Sequence, residues 1–273
     1  MNNYYYLISS LPTLVYNPSI QLPDCREMLD FIHDNLNEKD ISLFQYLLYP
    51  SDIKHISNYL SEKAGFNKPY PYLPNDYSFF PLGVEEVKQG ISQVDYPFNA
   101  FLEERNEEKN ETTPIENEKK LWGIFYSSVE ATGDAFLIDW FQFDRQLRNT
   151  ILNSNRRKFD LPETNGKEDF PEIDEANINF PNEKELLHKG NSPVELEMIL
   201  DKIRWKYLSQ LSSLSFFTIH TLFAWYIQYQ LLVRWSSTIS KEATQSVLKT
   251  LIETSMKDAQ YALGENKNNE KMN

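Results

Sequence analysis

The chain has 273 residues, more than one ordinary domain of about 150 and short of two, so one large domain or two interleaved ones are expected. Asp and Glu number 40 against 27 Lys and Arg, a net charge of −13, which disfavours nucleic acid as a partner because no general positive field gathers phosphates. Only 8 glycines and the single cysteine Cys25 leave no glycine-rich phosphate loop, no internal disulfide and no cysteine-based zinc site, and the cytoplasm is the expected compartment.

At the N-terminus no basic residue precedes the short run Tyr4 to Ile8 and no small-residue cleavage site follows it, so no targeting segment is expected. Apolar spacing then predicts three shorter helices, Asp24 to Leu36, Glu38 to Leu48 and Asp52 to Ala64, with Asn37 and Ser51 as caps and Gly65 as a stop. Pro69, Pro71, Pro74 and Pro81 alternate with Tyr70, Tyr72, Tyr77, Phe79 and Phe80. Such a segment, within 66–82, cannot be a regular helix and is too aromatic for a solvated linker, so it is expected to lie extended against the helices. Thr113-Pro114-Ile115-Glu116 has the order of a capping box with a first-turn proline, and Ile115, Trp122, Phe125 and Val129 continue it as a helix over 114–131. Thr132-Gly133-Asp134 breaks that helix. Leu137, Trp140, Phe141, Leu147 and Ile151 mark the next, reaching Lys158.

An acidic stretch, Phe159 to Asn191, reads as a loop or hinge that separates an N-terminal helical region, 1–158, from a C-terminal bundle, 192–264. Neither proline nor glycine occurs between Pro193 and Gly264, and helix is the regular structure that suits such a stretch. Ser192, Pro193 and Glu195 open a helix over 193–211. Ser215 is positioned to cap a second that runs to Trp235, and a third begins near Ser240 with Val247, Leu248, Leu251, Ile252 and Ala259 on one face before a polar tail, 265–273. Three consecutive helices with short joints predict an antiparallel three-helix bundle, and the whole chain reads as mainly α. Tyr207 to Val233 contains no Asp, Glu, Lys or Arg, yet Thr218, His220, Thr221, Gln228 and Gln230 interrupt it, so a buried helix is expected and a transmembrane helix is not.

The inventory of catalytic groups is thin. His33, His55, His188 and His220 fall on different predicted elements without metal-ligand spacing, and no P-loop, dinucleotide or nucleophile-elbow motif occurs. Carboxylate pairs such as Glu103 with Glu104 and Glu168 with Asp169 sit in polar stretches that suit a solvated face. Cys25 has only Arg26 beside it, which suits an idle thiol. No catalytic, metal or cofactor site is therefore expected. The feature that does stand out is a basic cluster, Arg145, Arg148, Arg156, Arg157 and Lys158, with Asp144 the lone acid among residues 144–158. It is either compensation of the helix C-terminal dipole and of the acidic stretch that follows, or a surface for an acidic partner.

Three stretches resemble an uncharacterised bacterial family encoded among V/A-type ATP synthase genes. They are Tyr4-Tyr5-Tyr6-Leu7-Ile8-Ser9-Ser10-Leu11-Pro12; Trp140-Phe141-Gln142-Phe143-Asp144 with Leu147, Arg148, Asn149 and Arg156; and Glu195 to Trp235, notably Leu200-Asp201, Arg204-Trp205, Phe216-Phe217, Ala224-Trp225-Tyr226 and Leu231 to Trp235. The resemblance implies a stand-in for the all-helical funnel component of that machine, which in bacteria and eukaryotes alike seats the central shaft on the membrane rotor ring. Asp144, Asn149 and Arg156 then fall where that funnel has an Asp, Asn and Arg series, while Ser236 after Trp235 and the short length depart from its pattern. The implied role is a non-catalytic central-stalk adaptor, cytoplasmic and peripheral to the inner membrane when assembled, with the rotor shaft and proteolipid ring subunits as partners. The other expectation, from the residues alone, is a free-standing helical regulator that binds a protein or peptide in a groove built partly from Pro69 to Pro81.

Overall fold

A computed structural model of the chain describes residues 4–17, 22–65, 96–107, 113–158, 193–213 and 216–235. Among them there is no strand, and the molecule is mainly α, as expected. Helices α1 (Tyr5–Ser10), α2 (Cys25–Asp34), α3 (Glu38–Phe44) and α4 (Tyr49–Lys63) come first, a 3₁₀ turn at Gln45–Leu47 joining the last two. Helices α5 (Asn99–Glu107), α6 (Pro114–Ala131), α7 (Ala135–Lys158), α8 (Pro193–Ser212) and α9 (219–235) follow. No helix among the described residues is long and apolar enough to cross a membrane.

Local chemistry sets most of these boundaries. The Asp24 carboxylate accepts from the Arg26 and Glu27 amides and opens α2, and the Asn37 side chain accepts from the Asp40 amide at 3.1 Å and opens α3. Thr113 and Glu116 form the reciprocal capping box at the start of α6, with Pro114 in the first turn. Gly65, at φ +80, and Gly133, at φ +64, take the left-handed conformation that ends α4 and separates α6 from α7. Two starts differ from the sequence reading. Helix α4 begins at Tyr49 without a side-chain cap, so Ser51 lies inside its first turn and caps nothing.

The second difference concerns α9, which starts at residue 219, four residues after the expected cap Ser215. Phe217 sits at φ +57, a conformation that a bulky L-residue rarely adopts and that no helix tolerates. A tertiary contact holds it there. The Tyr4 amide donates to the Phe217 carbonyl at 2.8 Å, and the Tyr5 ring packs on the Phe217 ring at 4.7 Å.

Contacts divide the chain into two units, one of Met1–Pro12 with Pro23–Ile227 and one of Thr13–Leu22 with Gln228–Asn273. Helices α8 and the first half of α9 therefore group with α1 to α7 rather than with a separate C-terminal bundle. The expected third helix of that bundle, the acidic hinge 159–191, the aromatic proline segment and the tail 265–273 lie outside the described residues. In the first unit α4 packs along α6, α6 along α7 and α7 against α8. Ile53, Phe98, Leu121, Phe125, Leu137, Phe143, Leu208 and Phe223 are fully buried there. In the second unit Tyr229 and Leu232 are fully buried, and the Arg234 guanidinium lies 5.9 Å from the centre of the Trp235 ring.

Candidate functional site

Helices α6 and α7 form an antiparallel hairpin, as their side-chain pairs run in opposite directions along the two chains. Phe125 meets Phe141 edge-on at 4.8 Å, the Arg145 guanidinium sits 4.8 Å from the Tyr126 ring centre, and that of Arg148 sits 4.5 Å from the Trp122 ring centre. Trp122 and Tyr126 are one helical turn apart on α6, which is why two arginines one turn apart on α7 each find a ring. Burial of its phenol pushes Tyr126 up to about 12, with Arg148 and Arg145 acting in the opposite sense and Asp144 in the same one.

On the next face of α7, Asp144 is the centre of a buried ion-pair network. Its Oδ2 accepts from Arg148 Nε at 2.7 Å and its Oδ1 from Arg204 Nε on α8 at 3.0 Å. Arg204 reaches further: its Nη1 donates to Asp201 Oδ1 at 2.9 Å and approaches Glu197 Oε1 at 3.6 Å. The Asp201 side chain is fully buried and Asp144 and Arg204 are nearly so. Burial alone raises the Asp144 carboxyl, but the two guanidiniums beside it outweigh burial and hold it at about 2. The same carboxylates push Arg204 up. Beside this network Phe143 stacks flat on Tyr207 of α8, 3.7 Å between centroids and 2° between planes.

A second, smaller lock closes the hairpin turn. His220 Nε2 lies 2.9 Å from Asp134 Oδ2, and the imidazole stacks on Phe136 at 5.6 Å. Burial raises the Asp134 carboxyl, yet the hydrogen bond from His220 and those from the Leu137 and Phe136 amides bring it below its usual value. Trp225 of α9 donates from Nε1 to the Pro12 carbonyl at 2.9 Å. Tyr4 OH donates to Asp40, which also accepts from Asn37 Nδ2 at 2.6 Å.

The structure thus separates the five cations singled out in the sequence. Arg145 is buried against Tyr126, and Arg148 is drawn onto Asp144 and Trp122, so both face the interior of the hairpin and not outward as an interface. For Arg156, Arg157 and Lys158 the helical backbone is described and the side chains are not. The sequence reading missed Arg204, Asp201 and Tyr126 as members of the network. The signal available was the spacing Glu197, Asp201, Arg204, which places two acids and a base on one face of α8. His220 is hydrogen bonded inside the chain, in line with its sequence reading.

Chemically the network is a lock. Asp144 is ionised at neutral pH with both oxygens engaged, a poor general acid or base and a strong anchor for two guanidiniums. Among the described residues no group of three or more His, Cys, Asp or Glu side chains is placed to hold a metal ion. No curated protein and no solved structure matches the chain significantly. A family model described as "Protein of unknown function (DUF2764)" matches residues 1–259. Its span takes in every described helix, and the chain belongs to the DUF2764 family.

Proposed function

We propose that the chain is a non-catalytic central-stalk adaptor of a V/A-type ATPase or ATP synthase, coupling the rotor shaft to the membrane proteolipid ring and carrying no cofactor or chemistry of its own. The observation that supports this reading is the way the three stretches resembling the V/A-associated family meet. The opening stretch binds the closing one through the Tyr4 amide and the Phe217 carbonyl, and through Trp225 and the Pro12 carbonyl. The middle stretch binds the closing one through Asp144 and Arg204, and through Phe143 and Tyr207. A resemblance concentrated in charge-locked and ring-stacked joints between helices suits a part that transmits force, since such joints have preferred geometries that resist sliding.

In this reading the partner-facing role of the basic cluster falls to Arg156, Arg157 and Lys158 at the end of α7, because Arg145 and Arg148 are engaged inside. The adaptor works at the cytoplasmic face, peripheral to the inner membrane through its complex. The test is affinity copurification of the tagged full chain from its own cells at low and high ionic strength. The shaft and ring subunits are expected to travel with it, and the triple variant R156Q/R157Q/K158Q should retain fewer of them, more so at high salt. A chain that purifies without either of them overturns the reading in favour of a free-standing protein- or peptide-binding regulator.

A further inference from the structure

We propose that the N-terminal aromatic cluster is a lipid-contact surface that seats directly on an uncharged, zwitterionic bilayer interface. Three large rings stand in solvent where α1 meets the turn before α9: Tyr6 is 88% exposed, Phe216 77% and Tyr5 51%. Tyr5 and Tyr6 touch edge to face at 5.6 Å, and Tyr5 also packs on Phe217. This exposure is built and not incidental. Phe217 is held at φ +57 by the Tyr4 amide, and a bulky residue kept in that region is a strained position whose cost the surrounding structure maintains. The consequence is that α9 starts late and Phe216 stays outside the helix and outside the core.

The chemistry of the surroundings selects the occupant. Residues 1–23 contain no charged side chain, and neither Asp, Glu, Lys nor Arg occurs from Tyr207 to Val233, in a chain that is otherwise 25% charged with a net charge of −13. Asp40, the carboxylate bonded to Tyr4, is buried. Two segments free of charge thus supply the exposed rings, and a basic partner finds its attraction elsewhere on the molecule. A second copy is disfavoured on area and charge together. Three partly covered rings offer about 400 Å², against about 800 Å² per partner in a stable protein interface, and each copy brings the same negative charge. A bilayer interface sets no such minimum area. Tyrosine is a residue of that zone, with an apolar ring and a hydroxyl that stays hydrated, and Phe supplies apolar contact beside it. Burying so few rings gives reversible attachment, well short of anchoring.

This surface is independent of the adaptor reading and is tested on the isolated full chain. Purified protein is sedimented with phosphatidylcholine vesicles and with vesicles containing phosphatidylserine, alongside Y6S/F216S and Y6W, with circular dichroism confirming that each variant keeps its helices. Wild type should partition onto phosphatidylcholine, bind phosphatidylserine-rich vesicles less at low salt, and lose about tenfold in partitioning in Y6S/F216S. The single substitution Y6W should bind more tightly than wild type, tryptophan being the stronger interfacial residue. No partitioning of wild type onto phosphatidylcholine, equal binding by a folded Y6S/F216S, or a requirement for phosphatidylserine overturns the proposal. So does a wild-type dimer in sedimentation equilibrium that Y6S/F216S dissociates, which assigns the rings to a second copy.

Discussion

Asp144 is the residue on which the interior electrostatics turn, because two guanidiniums outweigh a burial that by itself favours its neutral form. Its carboxyl falls from 3.8 to about 2 on folding, so the unfolded chain binds the proton more readily than the folded one. The stability this supplies is fully present above about pH 4, amounts to about 2 kcal/mol, and is lost as pH falls towards 2. His55 contributes in a different window: burial, with Lys54 adding to it, lowers its imidazole, so stability declines as pH falls below the ordinary histidine range of about 6.5. The two windows do not overlap, which makes Asp144 measurable by itself. Thermal melts between pH 4 and pH 2 should show a falling melting temperature for wild type and a shallower fall for Asp144→Asn. That variant should also be less stable at pH 7 by about 3–5 kcal/mol, since Arg148 and Arg204 then stay buried without their carboxylate. Equal pH slopes for the two proteins would remove Asp144 from the centre of the network.

At the scale of single helices, caps decide where segments begin, and the α6 cap is the clearest case. Thr113 Oγ1 accepts from the Glu116 amide at 3.3 Å, and the Glu116 carboxylate accepts from the Thr113 amide at 3.0 Å. Thr113→Ala should cost about 1 kcal/mol in urea denaturation, whereas Thr113→Ser should be nearly neutral. If Thr113→Ser costs as much as Thr113→Ala, the threonine methyl and not the cap is what matters. This boundary was legible in the sequence because every atom that sets it lies within four residues. The start of α9 was not. Nothing near Phe217 in sequence requires a left-handed residue, and the amide and ring that hold it there come from Tyr4 and Tyr5. Helices α1 and α5 also escaped the sequence reading, as six and nine residues give periodicity too little length to register. The basic cluster was visible by composition, but the direction of Arg145 and Arg148 depended on Trp122 and Tyr126 lying opposite them on α6.

Across the first unit, cohesion between segments distant in sequence runs through α8, which joins α7 by one stacked ring pair and one buried guanidinium. Arg204 is the shared donor for carboxylates on two helices, and the Asp201 side chain it serves has no exposure to water. Arg204→Gln removes the charge and leaves Asp144 and Asp201 short of a counterion inside, so a loss of about 3–5 kcal/mol is expected. Removing one carboxylate as well should be less harmful than the separate effects suggest. In Asp144→Asn with Arg204→Gln, an uncompensated charge created by each single change is taken away by the other, and the double variant should be more stable than the sum of the singles by about 1–3 kcal/mol. Residues in direct contact are where such coupling is expected, and Thr113→Ala combined with Arg204→Gln supplies the reference in which costs should simply add. Urea unfolding of the four proteins of this cycle at pH 7 measures the coupling. Because the pair links positions 60 residues apart, the unfolding of wild type and variants should remain a single transition, with the midpoint moving and the slope unchanged. Additivity in the Asp144 and Arg204 cycle would mean that α8 is held to α7 by Phe143 and Tyr207 alone, and the ionic lock between the middle and closing stretches would then be idle.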